Sequence, residues 1–76
     1  MNWQNHIELN PQIVFGKPII KNTRLAVDIV LEKLAHGDSV VDLIEAYPFI
    51  SKDDIYACLL YASESIKNEV IYLKAS

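Results

Sequence analysis

The chain has 76 residues, 51% of them hydrophobic, and a formal net charge of −3. This length fits a single domain, 1–76, which buries only about 60% of the surface of its unfolded chain. Because the composition is so hydrophobic, we expect some apolar surface to remain outside the core and to face a partner, a homodimer being the simplest case. The single cysteine excludes an internal disulfide and a cysteine-rich metal site, and without a signal peptide or an apolar run of about 18 residues we expect a cytoplasmic protein that is not membrane-bound.

The front of the chain, residues 7–25, is predicted to form a short β arm or hairpin. β-branched and aromatic residues occur at 13–15 and 18–20, on either side of Gly16 and Lys17. We expect these two runs to be the strands, with Gly16 adopting the unusual backbone angles of the turn. Pro18 has no amide hydrogen, which predicts that its strand lies at an edge.

Three helices are predicted behind the arm, in a core spanning 27–66. The first has apolar residues at a helical period from Val27 to Leu34, and Gly37 is suited to end it. In the second, Ser39 and Asp42 resemble a capping box, and Pro48 stops the helix.

The third helix is the longest of the three, with Ser51 as its predicted N-cap. Its predicted apolar stripe comprises Ile55, Leu59, Ala62, Ile66 and Val70. Residues 67–76 are treated as a C-terminal extension, and its final segment IYLKAS, residues 71–76, is expected to fray or to add a strand to another chain. The order of elements predicts a mainly α fold, a trihelical helix-turn-helix bundle with a short N-terminal β arm.

Catalytic residues are not evident in this sequence. His6 and His36 are thirty positions apart, and no carboxylate pair has a base near it. Cys58 lies between apolar neighbours in a helix, which favours a core position over a nucleophile. The Gly-Lys at 16–17 lacks the spacing of a phosphate-binding loop. We therefore expect no enzyme, with no catalytic residue, no metal site and no cofactor.

The segment GKPIIKNTR, residues 16–24, has three basic residues and no acid. Arg24 is suited to bidentate contacts with phosphate or carboxylate groups. Thr23 adds a hydroxyl donor, and Gly16 and Asn22 allow close approach of the backbone. The alternative is that Lys17, Lys21 and Arg24 are ordinary solvated surface charges.

The start of the third helix argues against a simple helix-in-groove contact with DNA. Asp53 and Asp54 follow a single Lys52 there, and the phosphate backbone repels acids. This leaves the arm as the better candidate for contact with nucleic acid or with an acidic pocket of a protein. The candidate binding residues are Gly16, Lys17, Pro18, Lys21, Asn22, Thr23, Arg24, Ser51 and Lys52.

The string GKPIIKNTRLAVDIVLEKLAHGDSVVDLIEAYPFISKDDIYACLLYA resembles the bacterial domain of unknown function 433 family. The shared pattern is G-K-P-x-I-x-G-T-R, a helix ending in Gly, a helix ending in Y-P, and a helix ending in Tyr-Ala. One departure is Asn22, where the family has Gly. Asn tolerates the left-handed backbone region best after Gly, so we expect the turn to survive.

The resemblance implies a homeodomain-like trihelical domain and an antitoxin-like role. The implied partners are a PIN-like ribonuclease toxin and the operator DNA of the pair's own operon. Arg24 is then the first candidate to enter the carboxylate site of the toxin. Two alternatives stay open: a stand-alone helix-turn-helix DNA-binding regulator, and a structural dimeric accessory protein without nucleic-acid contact.

Overall fold

The computed structural model describes residues 1–68, and the predicted C-terminal extension from residue 69 onward lies outside that range. Three helices follow a two-stranded antiparallel hairpin, which confirms the predicted mainly α fold. The strands are β1 (Ile7–Glu8) and β2 (Ile19–Ile20), and the helices are α1 (Val27–Ala35), α2 (Val40–Ala46) and α3 (Lys52–Asn68).

The hairpin uses a different first strand from the one predicted. Ile7 pairs with Ile20 and Glu8 with Ile19, whereas residues 13–15 do not form a strand. Instead Val14–Gly16 form a 3₁₀ turn in which the φ angles of Val14 and Phe15 are +50° and +55°. Burial explains the difference, because Ile7 enters the core opposite Ile20 while Phe15 stays 97% exposed.

The helix boundaries follow local signals in the sequence. Gly37, with φ +102°, follows α1 in the left-handed region that favours glycine. Ser39 and Asp42 form the predicted capping box at the start of α2, with hydrogen bonds of 3.0 and 2.9 Å. Residues 47–51 connect α2 to α3 and complete the helix-turn-helix order of these elements.

The core lies between the hairpin and the three helices. Its buried members are Ile7, Ile20, Val27, Val30, Leu43, Ile50, Ile55, Ala57 and Cys58. The stripe predicted for α3 is partly wrong: Leu59 and Ile66 are exposed, and Val70 lies outside the described residues.

The N-terminal segment also packs on α3. The ring of Trp3 meets the ring of Tyr61 edge to face, with centroids 4.9 Å apart. The indole Nε1–H of Trp3 also donates to Glu64 Oε1 at 2.9 Å. Because α3 is apolar on more than one side, this contact and the shared core together decide that Ala57 and Cys58 are buried and that Leu59 is exposed.

Candidate partner-binding site

The turn after β2 is closed by its own hydrogen bonds. The backbone N–H of Thr23 donates to the Ile20 carbonyl at 3.1 Å. The Thr23 hydroxyl donates to the same carbonyl at 2.7 Å and accepts from Leu25 N–H at 3.0 Å. The hydroxyl hydrogen of Thr23 is therefore already donated within the turn, and its role there is to hold the turn.

Asn22 occupies the left-handed position of this turn, with φ +64°. A residue with positive φ at this place is typical of a type II turn, where Gly or Asn is favoured. Asn22 thus supplies the positive φ that this turn requires.

Lys21 is the first central residue of the turn, Arg24 directly follows its last residue, and both side chains are exposed. Within residues 1–68 the ion pairs are His6–Asp54 and Lys17–Asp28, so neither Lys21 nor Arg24 is neutralised by a described carboxylate. An anion approaching the turn meets these two charges without having to displace an internal partner.

Lys17 does not join this pair of cations. Its Nζ lies 3.1 Å from Asp28 Oδ2 on α1, in an ion pair whose two side chains are exposed. Such a pair contributes about 0–1 kcal/mol to stability, but it offsets the local charge of Lys17. Lys17 precedes β2 and Lys21 follows it, a separation of about 13 Å at ~3.3 Å per residue. The basic run of the sequence is therefore divided in the fold.

Gly16 and Pro18 shape the path of the chain into β2. Gly16 ends the 3₁₀ turn with φ +79°, a conformation that L side chains rarely adopt. The Pro18 carbonyl accepts a hydrogen bond from Val27 N–H at 2.9 Å, at the start of α1. Both residues place β2 against the first helix.

A chain of three hydrogen bonds connects the Lys21 end of the hairpin to the start of α3. Lys21 N–H donates to the His6 carbonyl at 2.8 Å, and His6 Nδ1 lies 2.9 Å from Asp54 Oδ1. Asp54 Oδ2 accepts from Ser51 N–H at 2.9 Å. The fold thus links Lys21 to the segment that carries Ser51 and Lys52.

Sequence reasoning missed the role of His6 in this arrangement. His6 and Asp54 are 48 positions apart, and no local pattern connects them. The capping box of α3 carried a usable signal, however, because Ser51 and Asp54 have the same spacing as Ser39 and Asp42. In the folded chain the Ser51 hydroxyl accepts from Asp54 N–H at 3.1 Å.

The charges around α3 are mixed. Lys52 and Asp53 are exposed at its first turn, and the partly buried Asp54 is engaged by His6 and Ser51. A polyanion lying along this end of α3 would meet Asp53 directly. The turn with Lys21 and Arg24 is therefore the more favourable contact for negative charge.

The single thiol is unsuited to chemistry at this site. Burial, with a smaller effect from the charge of Asp54, raises the pKa of the Cys58 thiol to about 12, so that it stays protonated near neutral pH. The described part of the chain forms no pocket and has no cluster of His, Cys, Asp and Glu that could hold a metal ion. No helix within residues 1–68 is both long and apolar enough to cross a membrane.

Comparison with known proteins places these features in a family. Residues 7–62 match a family described as "Protein of unknown function (DUF433)". A crystal structure of a DUF433 member protein from Anabaena variabilis ATCC 29413 is similar, with a TM-score of 0.79 and 26% sequence identity. The similarity covers 84% of this chain and 63% of that one, so this chain spans less than two thirds of that protein's length. No curated protein matches.

Proposed function

The chain belongs to the DUF433 family, whose function is unknown, and we propose that it is an antitoxin-like inhibitor of a PIN-like ribonuclease. In this proposal it acts by binding and has no catalytic activity of its own. The observation that carries the proposal is the turn at 20–23, which presents Lys21 and Arg24 to solvent without a carboxylate partner among the described residues.

The chemistry of the target explains why these two cations suit it. A PIN-like nuclease uses carboxylates to hold a divalent metal ion. A guanidinium that enters such a site forms two parallel hydrogen bonds with a carboxylate and competes with the metal ion or with the phosphate of the RNA. The planar guanidinium of Arg24 suits this contact, and Lys21, three positions earlier in the chain, supplies a second positive charge.

The rigidity of the turn favours tight binding. Thr23 closes it with both its backbone N–H and its hydroxyl, and Asn22 adopts the required left-handed conformation. A loop that is ordered before binding loses less conformational entropy when the partner arrives. The hydrogen bonds from Lys21 to His6 and from His6 to Asp54 further hold the turn against α3.

Co-expression with the product of the adjacent gene tests the proposal. We expect a PIN-like protein to co-purify with the chain and its ribonuclease activity to be inhibited. Arg24→Ala is expected to weaken inhibition about thirtyfold, which corresponds to a hot-spot loss of about 2 kcal/mol. Lys33→Ala is the control, because Lys33 is a partly exposed lysine of α1 outside the candidate binding residues. An Arg24→Ala protein that inhibits with full potency would refute the proposed contact.

Binding to operator DNA is the second candidate, favoured by the helix-turn-helix order of α2 and α3. Because Asp53 is exposed at the start of α3, we expect any DNA contact to use Lys21 and Arg24. A gel shift on the operon's own promoter, weakening steeply as salt rises, would support it. If neutral substitutions at both cations change neither toxin inhibition nor DNA binding, a structural accessory role is favoured instead.

A further inference from the structure

One face of α3 is apolar and exposed to solvent. Tyr56, Leu59 and Ile66 are 44%, 43% and 60% exposed. Ser63 lies between them and is also exposed. These four residues, the α3 seam, follow one another at intervals of three, four and three positions, so they lie on one face of the helix. The α3 seam has no charged member, although charged residues are common on the solvent-facing side of a helix.

The spacing of the α3 seam is that of a heptad repeat. Apolar residues at alternating intervals of three and four form the contact line between two helices that pack with a small left-handed crossing angle. The other sides of α3 already pack within the chain, through the buried Ile55 and Cys58 and through the contact of Tyr61 with Trp3. We propose that the α3 seam packs against the α3 seam of a second copy of this chain, with the two helices antiparallel.

Charge complementarity favours a second copy in this orientation. Two identical antiparallel helices with Leu59 opposite Ser63 of the second copy also place Tyr56 opposite Ile66. The flanking heptad positions then bring Asp53 of one copy beside Lys67 of the other. Both of these residues are exposed.

Two-fold symmetry repeats this contact at the other end of the pair, so two opposite-charge contacts form. In a parallel pair Lys67 would instead flank Ala62 of the second copy, and no opposite charges would meet. The seam therefore fits another copy of itself in one orientation only.

The size of the seam sets the expected strength of the dimer. A contact made by one helix from each copy buries less than about 1,200 Å² in total, which is the range of weak and transient complexes. We therefore expect a dissociation constant in the micromolar range, roughly 1–100 μM. This inference is independent of the proposed inhibition, because it uses neither Lys21 nor Arg24.

Sedimentation equilibrium of the full chain, from about 5 to about 500 μM, tests the seam. The wild type should pass from monomer to dimer within this range. Leu59→Glu places two carboxylates in the seam and should weaken dimerisation at least about tenfold. Val41→Glu is the matched control, since Val41 is an exposed apolar residue of α2, 62% exposed, outside the seam. It should leave dimerisation unchanged, and circular dichroism should show that both variants keep their helix content.

A charge exchange tests the orientation. Lys67→Glu should raise the dissociation constant of the dimer by about tenfold. The reason is that two contacts between Asp53 and Lys67, each contributing up to about 1 kcal/mol, are replaced by repulsion. The double variant Asp53→Lys with Lys67→Glu should recover the wild-type dissociation constant. A double variant as weak as Lys67→Glu would overturn the antiparallel arrangement. Two results would overturn the seam: a wild-type chain that stays monomeric at the highest concentration, or a Leu59→Glu variant whose dimer is no weaker than that of Val41→Glu. The exposed face would then be assigned to contact with a different protein.

Discussion

Replacement of Asp54 by alanine tests how the arm is attached to the helical core. One carboxylate oxygen of Asp54 lies 2.9 Å from His6 Nδ1, and the other accepts the backbone N–H of Ser51 at 2.9 Å. Both His6 and Asp54 are partly buried. The substitution therefore removes the capping hydrogen bond from Ser51 N–H to the carboxylate and the contact that holds the arm against α3. The bond from Asp54 N–H to the Ser51 hydroxyl remains.

The expected loss is the sum of these two effects. The capping hydrogen bond from Ser51 N–H contributes about 1 kcal/mol, and the partly buried hydrogen bond between His6 and Asp54 contributes about another 1 kcal/mol. Asp54→Ala should thus lower the free energy of unfolding by about 2 kcal/mol. For a chain of this size that loss lowers the melting temperature by roughly 10 °C.

Urea unfolding followed by the fluorescence of Trp3, the only tryptophan in the chain, measures this loss. A double-mutant cycle with His6→Ala separates the two effects and should give a coupling energy of about 1 kcal/mol. Asp42→Ala is the control, because Asp42 closes the same kind of box with Ser39 and has no histidine contact among the described residues. It should destabilise the chain less than Asp54→Ala does. If the double variant loses the sum of the two single losses in free energy of unfolding, to within about 0.3 kcal/mol, a stabilising contact between His6 and Asp54 is refuted.

Two further predictions concern the turn and the thiol. Since Asn22 has φ +64°, Asn22→Ala should lower the free energy of unfolding by about 1 kcal/mol, whereas Asn22→Gly should not lower it. Equal melting temperatures of the two variants would contradict this. Because burial raises the pKa of the Cys58 thiol from 9.0 to about 12, the folded chain retains a proton that the unfolded chain releases, so stability should fall as pH rises through this interval. A thiol reagent at neutral pH should accordingly modify Cys58 only on unfolding, and rapid modification of the native chain would show that the thiol is accessible.

Features that depend on neighbouring residues could be predicted well from the sequence. Ser39 and Asp42 cap α2 as their spacing indicates, and Gly37 follows α1 with the expected positive φ. The left-handed conformation of Asn22 also agrees with the expectation for this turn. All of these depend on interactions over four residues or fewer, so the local sequence contains the information that decides them.

Features that depend on distant residues could not be predicted. Residues 13–15 have the composition of a strand, yet Ile7 pairs with Ile20 because that pairing buries both side chains. The division of the basic run has the same origin, since Asp28 on α1 is near Lys17 only in the folded chain.

The amino-acid sequence by itself determined where the helices begin and end and that Asn22 adopts a left-handed conformation, because capping and turn formation involve neighbouring groups. Only the tertiary structure decided which face of α3 is buried. That helix is apolar on several sides, and its packing against the hairpin, the other two helices and Trp3 selects one orientation from several that the periodicity allows. The residue pattern of a helix indicates how much apolar surface it has, whereas the elements packed against it decide which part of that surface is buried.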